Sequence, residues 1–222
     1  MKKIKYSEIT PEKIYNNRRS FIKSIGFSAS SLAITSLPFV NTASGKEQDK
    51  LTSYKDITTY NNYYEFGTSK GDPYKNSQNF KIKPWDISIE GEVEKPIKLS
   101  MDEILKSFTS EERIYRLRCV EGWSMVIPWM GFSLSKLLSK VNPTSKAKFV
   151  AFESVYDPEQ MKGQRYPVLN WPYKEGLRID EAMHPLTTVV TGLYNKELPN
   201  QNGAPLRIFI PWKYGFKSAK AI

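Results

Sequence analysis

The sequence has few of the residues that metal and redox sites most often use. Its 222 residues contain one cysteine, Cys119, and one histidine, His184. A single cysteine excludes an intrachain disulfide, so the thiol is buried, shared between chains, or used chemically. Two such side chains are also too few for an ordinary zinc site or for a haem held by two histidines.

Long apolar runs and phosphate-binding glycine loops are absent as well. Hydrophobic residues make up 40% of the chain and charged residues 25%, as in an ordinary soluble protein. No Walker or Rossmann glycine pattern occurs, and no nucleic-acid motif accompanies the net charge of +10. Residues 1–44 hold seven of the 33 Lys/Arg and two of the 23 Asp/Glu, so much of the basic excess lies there. We therefore predict no nucleic-acid partner.

The first 45 residues resemble a signal for twin-arginine export. Asn17-Arg18-Arg19-Ser20-Phe21-Ile22-Lys23 precedes a weakly apolar stretch, residues 24–40, and small residues follow at 41–45. The stretch is too short and too polar for a stable membrane span. Because this route carries folded proteins, the signal predicts a cofactor inserted before export and a periplasmic location.

Beyond the signal, the pattern predicts an α+β protein. Residues 46–83 are polar and without a sustained period, which predicts an extended N-terminal arm. From residue 84 onward, short strands and short helices mix without regular alternation. Ser100-Met-Asp-Glu103 has the spacing of a helix capping box. Residues 111–120 alternate as a strand that ends at Cys119.

Two interpretations of Cys119 follow from the residues alone. A thiol at the end of a strand, with Arg116 and Arg118 nearby, favours a reactive thiolate that can bind a transition metal. A small buried hydrophobe is the commoner fate of a free cysteine.

Five segments together resemble one family, and they occur in its order. They are Asn61–Phe66 (NNYYEF), Arg116–Ser124 (RLRCVEGWS), Asp180–Leu186 (DEAMHPL), Gln201–Arg207 (QNGAPLR) and Pro211–Ser218 (PWKYGFKS). The family is that of the periplasmic protein-methionine-sulfoxide reductase catalytic subunits, which are sulfite-oxidase-like molybdopterin enzymes. The resemblance implies their molybdopterin-binding fold, with mixed sheets and short helices over residues 84–222. Members continue well past the segment that ends this sequence, so we expect that domain to be incomplete at its C-terminus.

The resemblance also implies a cofactor, molybdenum-molybdopterin, and the residues that hold it. Cys119 would ligate the metal and act in catalysis with Glu121, and Trp123 would line the pocket. Arg207, Lys217 and Lys220 suit a phosphate, and Asn61 and Asn202 suit the pterin edges. The full set of implied cofactor contacts, in which Ser154 replaces a usual threonine, is Asn61, Tyr64, Glu65, Ser154, Asn202, Arg207, Ser218, Ala219 and Lys220.

The implied reaction transfers oxygen from protein-bound methionine sulfoxide to molybdenum and so repairs oxidised periplasmic proteins. A haem-containing, quinol-linked membrane subunit would donate the electrons. One alternative is a molybdenum oxidoreductase for other small S- or N-oxides. Another is an exported binding module without a cofactor, in which Cys119 serves only as packing.

Changing Arg18 and Arg19 together to Lys should leave the precursor in the cytoplasm, because the paired arginines are the recognised feature of the signal. Cell fractionation and immunoblotting of the wild-type and variant proteins measure this. Normal secretion of the variant would refute folded export.

Overall fold

The structure, a computed structural model, describes residues 50–222 of the chain. The export signal predicted for residues 1–45 lies outside this range. None of the helices within it is long and apolar enough to cross a membrane.

Short antiparallel strands form the framework of the described part. They are Asp86–Ile89 (β1), Ile97–Ser100 (β2), Glu111–Arg118 (β3), Ser124–Ser133 (β4), Phe149–Glu153 (β5), Lys174–Arg178 (β6), Thr188–Leu193 (β7), Lys196–Glu197 (β8) and Arg207–Phe209 (β9). Within residues 50–222, the largest sheet runs β3-β4-β7-β8, and β9 also pairs with β7. Strands β1 and β2 form one hairpin, and β5 pairs with β6.

The helices are short; the first two precede all the strands in sequence, and the others lie between strands. The α-helices are Tyr54–Thr59 (α1), Asp72–Asn76 (α2), Met101–Ser107 (α3), Leu134–Val141 (α4) and Ile179–Ala182 (α5). Further 3-10 turns cover Tyr64–Phe66, Lys162–Arg165, Asn200–Asn202 and Gly215–Lys217. The predicted capping box is confirmed: Ser100 Oγ accepts from Glu103 N, and Ser100 N donates to the Glu103 carboxylate. Antiparallel sheets combined with short helices agree with the predicted α+β class.

The central strand β4 was not predicted, although it is the longest strand described. Pro128 lies in its middle, and proline normally argues against a central strand because it has no N–H for the ladder. Here the carbonyl of Pro128 still accepts from Tyr194 N at 2.9 Å. Burial therefore stabilises the strand, because Ile127 and Trp129, on either side of Pro128, are almost fully buried.

The prediction of an extended arm for residues 46–83 was wrong over its described part. Residues 54–76 instead form α1, a 3-10 turn and α2. Ile57, Tyr63 and Phe66 are each at most 2% exposed. The apolar residues are spaced irregularly because each helical piece is only one or two turns long, so no period was visible in the sequence. The segment is a folded part of the core.

The core lies on both faces of the main sheet. On one face, Phe132 stacks on Phe108 with ring centroids 4.4 Å apart, and helix α4 covers it with Leu134, Leu137 and Leu138. On the other face, Trp129 and Phe209 pack with Leu193. This second face is the one that leads to the candidate site.

Gly131 in β4 has no room for a side chain. A β-carbon there would lie 2.0 Å from the backbone oxygen of Val189. We expect Gly131→Ala to lower the free energy of unfolding by about 3 kcal/mol, through overpacking against a rigid backbone. Urea denaturation measures this. Gly176→Ala in β6, whose nearest atom would be 3.8 Å away, is the matched control. Equal stability of the two variants would contradict the prediction.

Candidate functional site

A cavity of about 340 Å³ opens beside the turn between β3 and β4. Its walls come from the folded arm, from the β3–β4 hairpin, from the loop before β6 and from residues 202–220. Nine of the predicted site residues line it: Asn61, Tyr64, Glu65, Cys119, Glu121, Trp123, Asn202, Arg207 and Lys220. The structure thus brings together residues that are up to 159 positions apart in the sequence.

The remaining predicted contacts do not line this cavity. Ser154 and Ser218 are buried, and their hydroxyl oxygens have no hydrogen-bond partner. Ala219 packs its side chain in the hydrophobic core, and its carbonyl accepts from Ile208 N at 2.9 Å. Lys217, expected near a phosphate, instead forms an ion pair with Glu175. That expectation was wrong, because Glu175 already neutralises the Lys217 ammonium.

The hairpin loop that carries Cys119 is defined by backbone hydrogen bonds. Arg118 pairs with Ser124 at the end of the ladder, which leaves residues 119–123 as the loop. Cys119 N donates to Trp123 O at 2.9 Å, and Gly122 N donates to Cys119 O at 3.1 Å. Gly122 has φ +86°, a conformation that favours glycine. The sulfur is therefore held on a short and well-bonded turn.

Two N–H donors approach the sulfur. The side-chain amide of Asn62 donates to Cys119 Sγ at 3.4 Å, and Glu121 N donates to it at 3.5 Å. Hydrogen bonds of this kind orient a sulfur that serves as a metal ligand. The half-buried position of Cys119 also differs from the fully buried cysteine of the packing interpretation.

Glu121 is an ionised hydrogen-bond acceptor in this structure. Hydrogen bonds from Lys70, Trp123 and Asn62 lower the pKa of Glu121 to about 2. Lys70 Nζ lies 2.9 Å from Oε1, and Trp123 Nε1 lies 2.9 Å from Oε2. Glu121 Oε2 is 3.8 Å from Cys119 Sγ. A carboxylate in this state orients its neighbours and has no proton to give.

The inner end of the cavity is cationic. Arg207 is 4% exposed, and its Nη1 donates to Asn202 O at 2.8 Å. Lys220 Nζ lies 4.9 Å from the centre of the Tyr63 ring. Burial lowers the pKa of Arg207 to about 10; burial and the Arg207 charge lower the pKa of Lys220 to about 8. Within residues 50–222 neither cation forms an ion pair, which favours binding of an anion.

Buried polar atoms without partners surround this end. Leaving a buried donor or acceptor unsatisfied costs about 1–3 kcal/mol, so each one indicates a missing partner. Asn202 Nδ2 donates to Asn61 Oδ1 at 3.1 Å, which leaves Asn61 Nδ2 and Asn202 Oδ1 unpaired as one donor and one acceptor. Trp129 Nε1 and Arg207 Nε, on two lining residues, are also unpartnered, as is Tyr63 OH, whose ring lies against Lys220. A heterocycle with a phosphate matches this set.

Metal binding by protein side chains alone is not supported. In the part of the chain that the structure describes, no group of three or more His, Cys, Asp or Glu side chains could hold a metal ion. A metal at Cys119 would therefore need most of its ligands from a cofactor. The dithiolene of molybdopterin is such a ligand, so the residues present fit this group.

Several site residues were missed from the sequence. Asn62 follows the predicted Asn61, and Tyr63 precedes the predicted Tyr64, so the motif contained both without distinguishing them. Trp129 lies on the strand that was not predicted. Lys70, which donates to Glu121, and Tyr173, which lines the cavity, stand outside every recognised segment, and only their places in the fold identify them.

Comparison with known proteins agrees with the geometry. The family model described as "Oxidoreductase molybdopterin binding domain" matches residues 74–222. A protein of Xanthomonas axonopodis pv. citri, named protein-methionine-sulfoxide reductase catalytic subunit MsrP, is 54% identical over 97% of this chain and 71% of its own length. The protein of that name from Pseudomonas syringae pv. tomato is 48% identical over 98% of this chain and 73% of its own length.

A solved structure shows the same fold at greater distance. The sulfane dehydrogenase SoxCD from Paracoccus pantotrophus superposes with a TM-score of 0.54 at 13% identity, over 96% of this chain and 58% of that one. The fold and the site define a sulfite-oxidase-like molybdopterin-binding oxidoreductase domain, which confirms the predicted fold and cofactor. With relatives at about half identity over nearly its whole length, the chain belongs to the family of the MsrP catalytic subunits.

Lys220, one of the two buried cations at the inner end, allows a test of whether this end binds the phosphate. The unfolded chain holds the lysine proton up to about pH 10, whereas folding lowers the pKa of Lys220 to about 8. The free energy of unfolding of the cofactor-free protein should therefore rise between about pH 8 and 10. Lys220→Met should remove this rise and stabilise the cofactor-free protein at pH 7 by on the order of 1 kcal/mol.

The same variant should bind molybdopterin less well, because one phosphate partner is lost. Urea unfolding at pH 7 and pH 10, with protein from a host that cannot make molybdopterin, measures the first effect. Pterin analysis of protein from a competent host measures the second. Lys162→Met, at an exposed lysine, is the control. A variant with wild-type pH dependence and wild-type pterin content would contradict the assignment.

Proposed function

We propose that this chain is a molybdenum-dependent reductase of methionine sulfoxide in proteins, with Cys119 as the protein ligand of the metal. The observation that carries the proposal is the position of Cys119 Sγ at the same cavity whose inner end holds Arg207, Lys220 and unpartnered polar atoms. A thiolate at one end and an anion site at the other fit the two ends of molybdopterin.

The residues of the site serve three parts of the cofactor: the pterin, the phosphate and the metal. Asn61 and Asn202 offer one donor and one acceptor to the pterin edge. Arg207 and Lys220 offer charge to the phosphate, and Ser154 and Ser218 lie buried nearby with free hydroxyls. Cys119 offers its sulfur to the metal. When bound, molybdenum supplies oxygen-atom transfer coupled to a two-electron change.

The surroundings of the sulfur suit a neutral substrate. Trp123, Tyr60 and Leu169 line the cavity, and the exposed Val120 and Phe216 stand beside them. Neither Arg116 nor Arg118 lines it, although both precede Cys119 in sequence. An apolar wall with a neutralised carboxylate fits a sulfoxide carried on a thioether side chain better than it fits the sulfite anion.

The site's place in the cell is part of the same proposal. The Arg18-Arg19 signal supports export to the periplasm in folded form. The names of the relatives support oxidised proteins as substrates. We propose a haem-containing, quinol-linked membrane subunit as electron donor, on the basis of the family resemblance, since the chain itself lacks the histidines for a bis-histidine haem.

Replacing Cys119 with Ser tests the metal assignment directly. The variant should lose turnover of methionine sulfoxide and change the electron paramagnetic resonance signal of molybdenum, because the sulfur ligand is gone. Molybdenum content, the signal and the rate are measured on protein from a molybdopterin-competent host. Leu105→Ser, at an exposed position of α3, is the control and should leave all three unchanged.

Substrate choice is tested in the same assay. Methionine sulfoxide in an oxidised protein should be turned over faster than dimethyl sulfoxide, trimethylamine N-oxide or sulfite. A preference for sulfite oxidation would refute the proposed reaction. An unchanged signal in Cys119→Ser, or a folded wild-type protein without molybdenum, would refute the ligation itself.

A further inference from the structure

Lys70 reaches the cysteine site from a tightly held loop of the arm. Asn61 N donates to Lys70 O at 2.9 Å, which closes the loop 61–70. Ser69 N donates to the Asp72 carboxylate at 2.8 Å. A β-carbon at Gly67 would lie 2.6 Å from Asp72 Cβ, so the chain turns too closely there for any other residue. These contacts fix the position from which the Lys70 side chain extends.

The ammonium of Lys70 joins two groups that both contact Cys119. Lys70 Nζ donates to Asn62 Oδ1 at 2.5 Å and to Glu121 Oε1 at 2.9 Å, and it lies 2.8 Å from Glu121 Oε2. Its side chain is only 26% exposed. An ammonium has three donors, and the Asn62 and Glu121 oxygens are their partners here.

The contact with Asn62 determines which way that amide faces. Because its oxygen accepts from Lys70, its NH2 group faces Cys119 Sγ at 3.4 Å and Glu121 Oε2 at 3.1 Å. The reversed amide would place NH2 against the ammonium and oxygen against the sulfur and the carboxylate. All of those contacts would be repulsive, so the cation selects the orientation that donates to sulfur.

The contact with Glu121 balances charge beside the sulfur. In this structure the Cys119 thiol donates to Glu121 Oε2 at 3.8 Å. A thiolate bound to a metal has no such proton, so the same carboxylate oxygen would repel it. The Lys70 ammonium on the far side of the carboxylate offsets that repulsion, and Trp123 Nε1 binds the same Oε2. Without Lys70, the carboxylate beside the sulfur would lose its counter-charge, and the Asn62 orientation would depend on the contact with Glu121 alone.

We propose that Lys70 is a positioning residue that holds the Asn62 amide as a donor to the Cys119 sulfur and neutralises Glu121, and that it thereby tunes the metal held by Cys119. This rests on the proposed function, since it takes Cys119 as the ligand. Donor hydrogen bonds to a thiolate ligand withdraw electron density from the metal. Losing them stabilises the oxidised metal and lowers its midpoint potential.

A purely structural role would have a different signature. A partly exposed ion pair contributes little to stability, about 0–1 kcal/mol. If Lys70 served only as such a pair, its removal would leave the metal's spectrum and potential unchanged. The measurements must therefore be made on the metal as well as on the rate.

The test compares wild-type holoenzyme with Lys70→Met and Lys70→Arg. Lys70→Met should retain molybdenum, shift the electron paramagnetic resonance signal and lower the midpoint potential. Its kcat for methionine sulfoxide should fall by roughly 10-fold or more, the usual effect of losing an outer-shell partner, with KM less affected. Lys70→Arg should recover part of each change, because it keeps the charge. Lys75→Met, an exposed lysine on α2, is the matched control.

Asn62→Leu provides an independent check of the route through the amide. If Lys70 acts through Asn62, the double variant Lys70→Met/Asn62→Leu should show less than the sum of the two single potential shifts. Full additivity would overturn that route.

Three results separate this proposal from the proposed function. A molybdenum-loaded Lys70→Met enzyme with wild-type signal and potential would overturn the proposal while leaving Cys119 as the ligand. Loss of molybdenum from Lys70→Met, with Lys75→Met fully loaded, would also overturn it and assign Lys70 to loading. An unchanged signal in Cys119→Ser would instead refute the proposed function, whatever Lys70 does.

Discussion

The pairing of β3 with β4 is the constraint on which the rest of the site depends. Its eight registered residue pairs end at Arg118 and Ser124, so the sulfur of Cys119 stands one residue beyond a rigid ladder. The same pairing places Trp129 under the cavity and Trp123 at its wall. A one-residue slip in this pairing would turn every side chain of β4 to the opposite face of the sheet, and Trp129 would no longer lie under the cavity.

The buried part and the exposed part of the cavity differ in their charge. The inner end holds two buried cations, Arg207 and Lys220, near the buried Glu65, whose own pKa is raised by burial. The outer end holds one anion, Glu121, which Lys70 neutralises locally. The cavity is therefore suited to a ligand that carries an anionic group in its buried part and a metal near the exposed part.

The sequence predicted those parts of the fold that depend on neighbouring residues. The capping box at Ser100 and the alternation along β3 are local patterns, and both are present in the structure. Strand β4 was missed because Pro128 argues against a strand locally, whereas the burial of its neighbours in the folded protein stabilises one. The arm was missed because its helices are too short to show a period.

The same distinction between local patterns and long-range contacts applies to the residues of the candidate site. Cys119 at the end of a strand could be inferred from alternation and from being the only thiol, and the motifs identified Asn61 and Asn202 but not Asn62, which also lines the cavity. Lys70 could not be inferred, because its contact with Glu121 spans 51 residues and leaves no trace in either segment. Lys217 was misassigned for the same reason, since Glu175 lies 42 residues away.

The hydrogen bond between Asn61 and Asn202 joins positions 141 residues apart. The pair of amides that we propose for the pterin edge thus forms only after the arm has docked on the final part of the described chain. A variant that retains its cofactor during purification would therefore have both the arm and the segment around Asn202 correctly folded. Cofactor content can thus be used to check the folding of an engineered variant.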